Sequence, residues 1–346
     1  MQNTSLLNLG WRPFFQQQLS LSDLETYTPA RVIAQHRSEY GLMSEQGEIH
    51  LSILHSMPAL TVGDWLLLDK YQHFVRELER FSLFSRKAAG HKNELQLIAA
   101  NVDTVFMVSS LNENFNLNRL ERYLALAHEA QVEPVVVLTK ADLCANPEDY
   151  VQQVQKLDRL LVVEAVNGLD NSTAERLQAW CGAGQTIALL GSSGVGKSTL
   201  VNTLLGQAQQ LTQATSELKH KGRHTTTSRS LHAMPRGALL LDTPGMRELQ
   251  LSACEDGVEA TFAEISELAQ SCRFADCQHV NEPNCAVQAA LKSGDLDLRR
   301  LQSYRKLQRE QAHNSATLAE KHAFFQKQGR LHKAIQEEQR KYKKGY

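Results

Sequence analysis

Residues 186–199 read T-I-A-L-L-G-S-S-G-V-G-K-S-T, and this stretch decides the fold. Residues 187–190 form a short apolar run suited to a buried strand. The run leads into Gly191, Ser192, Ser193, Gly194, Val195, Gly196, Lys197 and Ser198, which keep the phosphate-loop spacing G-x-x-x-x-G-K-[ST]. The chemistry explains the spacing. Glycines let the backbone turn its N–H groups inward around phosphate oxygens. Lys197 reaches the β- and γ-phosphates, and the Ser198 hydroxyl is placed to ligate Mg²⁺. The helix expected over 198–205, opening on Ser198 and Thr199, points its positive end at the same anion.

Working outward, the chain on the N-terminal side alternates strands with helices. Strands are expected at 102–108, 135–138 and 161–165, and helices at 116–131, 148–160 and 173–180. Such alternation predicts a parallel sheet with helices on both faces. On the C-terminal side, residues 207–230 are polar and aperiodic, and read as a loop. Residues 238–241 read as the next buried strand, ending in Asp242-Thr-Pro-Gly245.

Further out, residues 30–86 carry short strand-like runs at 31–35, 40–43, 49–54 and 65–68, separated by Gly41, Gly47, Pro58 and Gly63-Asp64. Close spacing of this kind predicts a small β domain, with an OB-type barrel as the expected form. The lead-in before it holds Trp11, Phe14 and Phe15, expected to dock on a neighbouring domain. Helices are expected at 258–269 and 296–311, and a long one beyond about 315. The expected division is a lead-in at 1–29, the barrel at 30–88, a nucleotide domain at 89–250 and a helical domain at 251–346.

Composition narrows the class. The 346 residues suffice for two or three domains. Neither a signal peptide nor an apolar run long enough to cross a bilayer is expected. The net charge of −1 hides an asymmetry: residues 299–346 carry 13 Lys and Arg against 4 Asp and Glu, a local +9, which leaves the remainder at −10. A basic tail on an acidic body suits a polyanionic partner. A merely solvated helix face stays open as the alternative. Three of the six cysteines crowd together in Cys272-x₄-Cys277-x-His279-x₅-Cys285. Three thiolates and an imidazole make a closed tetrahedral zinc set, structural rather than catalytic.

Two further motifs give the phosphate loop a context. Asp242 at a strand end can hold Mg²⁺ through water, and the Gly245 N–H can sense a γ-phosphate. Thr139, Lys140, Ala141 and Asp142 follow the strand at 135–138 and resemble the guanine-reading [NT]KxD signature of GTPases. The Asp142 carboxylate would accept from the guanine N1–H and N2 amino groups, with the Lys140 stem along the base. Here the base motif precedes the phosphate loop, the reverse of the usual GTPase order. The arrangement is a circular permutation. A site made by loops at one edge of a sheet tolerates it.

With a barrel, a permuted GTPase and a Cys₃His module in this order, the chain resembles the RsgA (YjeQ) family of bacterial ribosome-assembly GTPases. The wording around Gly222-Arg-His-Thr-Thr-Thr227, Asp242-Thr-Pro-Gly245 and Glu282-Pro-Asn-Cys-Ala-Val287 is similar as well. The resemblance implies GTP hydrolysis stimulated by the small ribosomal subunit, binding near its decoding region through rRNA during late maturation, and a cytoplasmic location. A monomer is expected. Three departures stand out: Thr139 replaces the usual Asn, Glu164-Ala165-Val166-Asn167-Gly168 replaces a Ser-Ala type motif, and Asn284 replaces a frequent Gly. Asn tolerates the left-handed turn expected there. A threonine of 225–227, with Thr226 favoured, is expected to close over Mg²⁺.

Ras-like enzymes orient the attacking water with a Gln after D-x-x-G. Met246 stands there, so His224 becomes the candidate, beside Lys197 and Thr226 as catalytic residues. An ordinary exposed loop histidine is the alternative. Two rival functions compete with this reading. Another P-loop enzyme is disfavoured by residues 139–142, and an RNA-binding protein with a vestigial site is disfavoured by intact Lys197, Ser198 and Asp242.

Overall fold

The computed structural model describes residues 5–87, 95–206, 229–242, 246 and 254–315; the side chains of Lys87, Asp242 and Ser315 lie outside that description. The lead-in holds two short helices, α1 (Pro13–Gln16) and α2 (Leu21–Thr26). Pro13 sits in the first turn of α1, and Ser20 and Asp23 close a reciprocal capping box on α2. The aromatics do dock. Phe15 is fully buried, and Trp11 meets Trp65 edge-on with ring centroids 4.8 Å apart.

Strands β1 (Thr28–Gln35), β2 (Glu39–Ser44), β3 (Gly47–Ser52), β4 (Trp65–Leu68) and β5 (Phe74–Glu77) pair in the order β3-β2-β1-β4-β5. These five strands make an antiparallel sheet where the small barrel is expected; among the described residues β3 and β5 do not pair. A hairpin of β6 (Leu83–Lys87) and β7 (Leu95–Ala100) follows. The boundary expected at 88/89 lies outside the described residues.

The parallel sheet contains β8 (Thr104–Ser110), β9 (Glu133–Thr139), β10 (Val162–Ala165), β11 (Thr186–Leu190) and β13 (Leu239–Asp242), ordered β10-β9-β8-β11-β13. All seven residues of β8 are buried, as a central strand covered on both faces requires. Strand β12 (Arg229–Ala233) runs antiparallel between β13 and β1, so barrel and nucleotide domain share one continuous sheet. The loop expected over 207–230 therefore ends earlier. Arg229 and Ser230 are already strand, paired with Gln35 and Ala34. The rest of that loop lies outside the described residues.

Helices cover the sheet. They are α3 (Leu117–Glu129), α4 (Pro147–Gln155), α5 (Ser172–Arg176) and α6 (Lys197–Leu205). Asn116 caps α3 by accepting from the Arg119 N–H at 3.0 Å. Leu120, Leu124 and Ala127 give α3 its buried face.

The C-terminal helices are α7 (Glu255–Thr261), α8 (Ala263–Gln270), α9 (Ala286–Ser293) and α10 (Leu298–Ser315). A single helix over 258–269 is not what forms: Phe262, at φ −121° and ψ 38°, breaks it and is fully buried instead. The long helix expected beyond 315 lies outside the described residues. Helix α7 lies against α3 so closely that a Cβ on Gly257 would come within 2.1 Å of the Ala125 carbonyl oxygen. The Gly257 N–H donates to Glu129 Oε2 at 2.9 Å. Deeper in the same seam, the fully buried Glu121 accepts from Arg299 and from Arg300, whose other donors reach Glu264 and the carbonyls of Thr261 and Leu157. A buried carboxylate needs such partners.

Candidate nucleotide and zinc sites

Strands β9, β8 and β11 lie side by side and run parallel, so the loops after β9 and β11 leave the same edge of the sheet. The phosphate loop leaves β11 at Gly191, where a Cβ would meet the Val108 carbonyl oxygen at 2.6 Å. Only glycine allows the loop to turn so close to β8. Gly196 has φ +92° and starts α6. Lys197 is largely buried and folds back onto the loop, with Nζ donating to Gly191 O at 2.6 Å and to Ser192 O. Ser193 and Ser198 are exposed on the same loop.

The base motif is bonded to that loop. The Thr139 hydroxyl donates to Val195 O at 2.6 Å, and Lys140, in the left-handed region at φ +60°, donates from Nζ to Gly194 O at 3.3 Å. The Ala141 N–H donates to Val166 O at 3.2 Å, which pins the tetrad to the turn after β10. That turn is held in place by Thr203 of α6, whose hydroxyl donates to Gly168 O at 2.6 Å. Asp142 is exposed. Its carboxylate has no hydrogen-bonding partner among the described residues, so it is available to a base. Ala165 ends β10 with its carbonyl accepting from Arg176 Nη1 at 2.7 Å. Asp242 ends β13 beside the phosphate-loop strand.

The candidate zinc ligands converge 30 residues further on. Cys272 follows α8, Cys277 and His279 sit in the intervening loop, and Cys285 caps α9. Their ligand atoms all lie within 4.8 Å of one another. Cys272 Sγ is 3.8 Å from Cys285 Sγ, and His279 Nδ1 is 3.6 Å and 3.5 Å from those two sulfurs. A tetrahedron with Zn–S near 2.3 Å and Zn–N near 2.0 Å has edges of about 3.8 Å and 3.5 Å. The donor set and its spacing therefore fit a zinc ion. Left-handed backbone at His279 (φ +59°) and Asn284 (φ +56°) folds the loop around the point, so Asn284 does adopt the turn expected of it. Glu282 braces the loop by accepting from the N–H groups of Gln278, Val280 and Asn281. Burial, and then the Arg305 charge, hold His279 below its ordinary pKa, which favours the neutral imidazole a metal requires. Cys181 and Cys254 differ: burial pushes their thiols up to about 11 and about 12, so they are inert core groups.

A protein-family model described as RsgA GTPase matches residues 77–252. A protein of Vibrio parahaemolyticus named small ribosomal subunit biogenesis GTPase RsgA 2 is 59% identical over 341 residues, covering 99% of this chain and 95% of its own. The chain belongs to the RsgA GTPase family. A Mesorhizobium japonicum protein named small ribosomal subunit biogenesis GTPase RsgA is 50% identical over 317 residues, covering 90% and 91% of the two chains. Among solved structures, YjeQ from Thermotoga maritima superposes with TM-score 0.59 at 24% identity over 81% of this chain and 97% of its own. YloQ, described as a circularly permuted GTPase, superposes with TM-score 0.58 at 22% identity over 84% and 96%. The last two likenesses speak for the fold.

Within this RsgA-family site, His224, Thr226 and Gly245 lie outside the described residues. Met246 is described and is 3% exposed, packed in the main apolar core, so it presents nothing to a water molecule. One residue at the site escaped the sequence reading. Arg119, on the first turn of α3, donates from Nη1 to Ser192 Oγ at 3.0 Å. Its position in a first turn was readable from the Asn116 cap, but its reach to the phosphate loop depends on how α3 leaves β8.

Proposed function

We propose that the chain hydrolyses GTP to GDP and phosphate on the small ribosomal subunit, assists late maturation of that subunit, and is stimulated by it. The observation that carries the GTP part is the bonding of residues 139–140 to residues 194–195, which joins a guanine-reading loop to a phosphate loop at one sheet edge. The ribosomal part rests on the names of relatives that are 59% and 50% identical.

In this reading Asp142 and Lys140 select guanine, and the N–H groups of residues 191–199 and Lys197 hold the phosphates. Ser198 and Asp242 hold Mg²⁺, which supplies charge neutralisation at the phosphates. Thr226 and Gly245 respond to the γ-phosphate, and His224 orients the water. Cys272, Cys277, His279 and Cys285 hold one structural zinc. We take the barrel unit to include the hairpin up to Ala100. The barrel and the basic tail contact rRNA, and the protein acts as a cytoplasmic monomer.

Co-sedimentation with purified small subunits tests the partner. Binding should be stronger with a non-hydrolysable GTP analogue than with GDP, and should fall steeply with salt as phosphate contacts release counterions. Equal sedimentation with and without subunits would contradict it.

A further inference from the structure

We propose that Arg119 is a second phosphate-site cation, supplied in cis from α3, that contacts the γ-phosphate of bound GTP and stabilises the charge developing on it during hydrolysis. The inference deepens the reading of residues 191–198 as a GTP phosphate loop and rests on it.

The first observation is placement. Arg119 Nη1 donates to Ser192 Oγ at 3.0 Å, and Lys197 Nζ donates to the carbonyls of Gly191 and Ser192. Both cations therefore converge on the same corner of the loop. Lys197 rests there on neutral acceptors that phosphate oxygens replace when nucleotide binds. Arg119 is in the same condition, since its other side-chain acceptor is the neutral Asn114 carbonyl at 3.3 Å.

The second observation is charge. Arg122 on the same helix pairs with Glu310, Arg176 with Glu164, Arg80 with Asp64, and Arg300 with Glu121 and Glu264. Arg119 has no carboxylate partner among the described residues. A guanidinium left without an anion beside a loop built for phosphate finds its anion in the ligand, and its planar fork matches phosphate oxygens. A cavity of about 230 Å³ beside Arg119, between α3 and α10, leaves its side chain room to move.

The anchoring of α3 explains the precision such a role needs. Its first turn carries Arg119, and the rest of the helix is clamped to the C-terminal helices through Glu121, Arg122 and Glu129. An arginine in cis avoids the wait for one supplied by a partner. Such residues are worth about 10³-fold or more in turnover.

The test uses the full-length chain with purified small subunits. Arg119→Ala should lower GTP turnover by about three orders of magnitude or more, a scale set by arginines of this kind. The same variant should keep GDP affinity within a few-fold, fail to trap GDP with aluminium fluoride, and recover turnover when guanidinium ion is added. Arg119→Lys should recover only part, because an ammonium lacks the fork. Unchanged turnover in Arg119→Ala would overturn the proposal. So would a parallel loss of GDP affinity without rescue by guanidinium, which would mark Arg119 as a support for the loop. Absence of GTP turnover in the unsubstituted chain would instead overturn the underlying GTPase reading.

Discussion

The Thr139 hydroxyl donates to the Val195 carbonyl across 2.6 Å, bonding the last residue of the base-motif strand to the phosphate loop. The two residues stand 56 positions apart, and Thr139 is 2% exposed. Thr139→Val keeps the shape and removes the donor, leaving Val195 O short of a partner. Such a loss costs about 1 kcal/mol, or about fivefold in GTP affinity. Titration with a fluorescent GTP analogue measures it; affinity equal to that of the unsubstituted chain would show that the bond does not position the loop.

In the proposed function Asp142 sets base specificity. Asp142→Asn exchanges an acceptor for a donor, so GTP affinity should fall and xanthosine triphosphate, whose extra carbonyl accepts from the amide, should gain. Competition between the two nucleotides reads the switch. Undiminished preference for GTP in the variant would remove Asp142 from the base site.

The Cys₃His cluster should hold one zinc per chain, measured by metal analysis of the purified protein. Because structural zinc contributes folding free energy directly, Cys277→Ser or prolonged chelation should loosen helices α8 to α10 first, seen as faster amide exchange there than in the parallel sheet. A metal-free chain with unaltered exchange would contradict the assignment.

Glu121 is the keystone of the seam between α3 and the C-terminal helices. Glu121→Gln leaves Arg300, itself 6% exposed, short of a buried counter-charge. Breaking a buried pair in this way costs about 3–5 kcal/mol. Urea unfolding should register it, and a change within measurement error would show that Glu264 alone suffices for Arg300.

Much of the site was legible because its signals are local. The phosphate loop, the tetrad at 139–142 and the Cys₃His spacing each sit within a few residues, and the buried strands beside them are continuous apolar runs. Elements whose character depends on distant partners were not legible. Strand β12, R-S-L-H-A, has no apolar alternation and is a strand because β13 and β1 flank it. Arg31 reads as a surface residue yet is 1% exposed, held by the carbonyls of Leu9, Gly63 and Asn101. Glu121 and Arg300 are 179 positions apart, and no periodicity links them. Phe262 fits a helical stripe, but it ends one helix and starts another because its ring fills the core.

The measurement that bears most directly on the account is GTP turnover by the full-length chain with and without purified small subunits, for the unsubstituted protein and for His224→Ala. The account predicts slow turnover alone, strong stimulation by the subunits, and loss of that stimulation in His224→Ala with nucleotide and subunit binding retained. Turnover that is indifferent to small subunits would contradict the central claim. Full stimulation in the variant would show that another group orients the water.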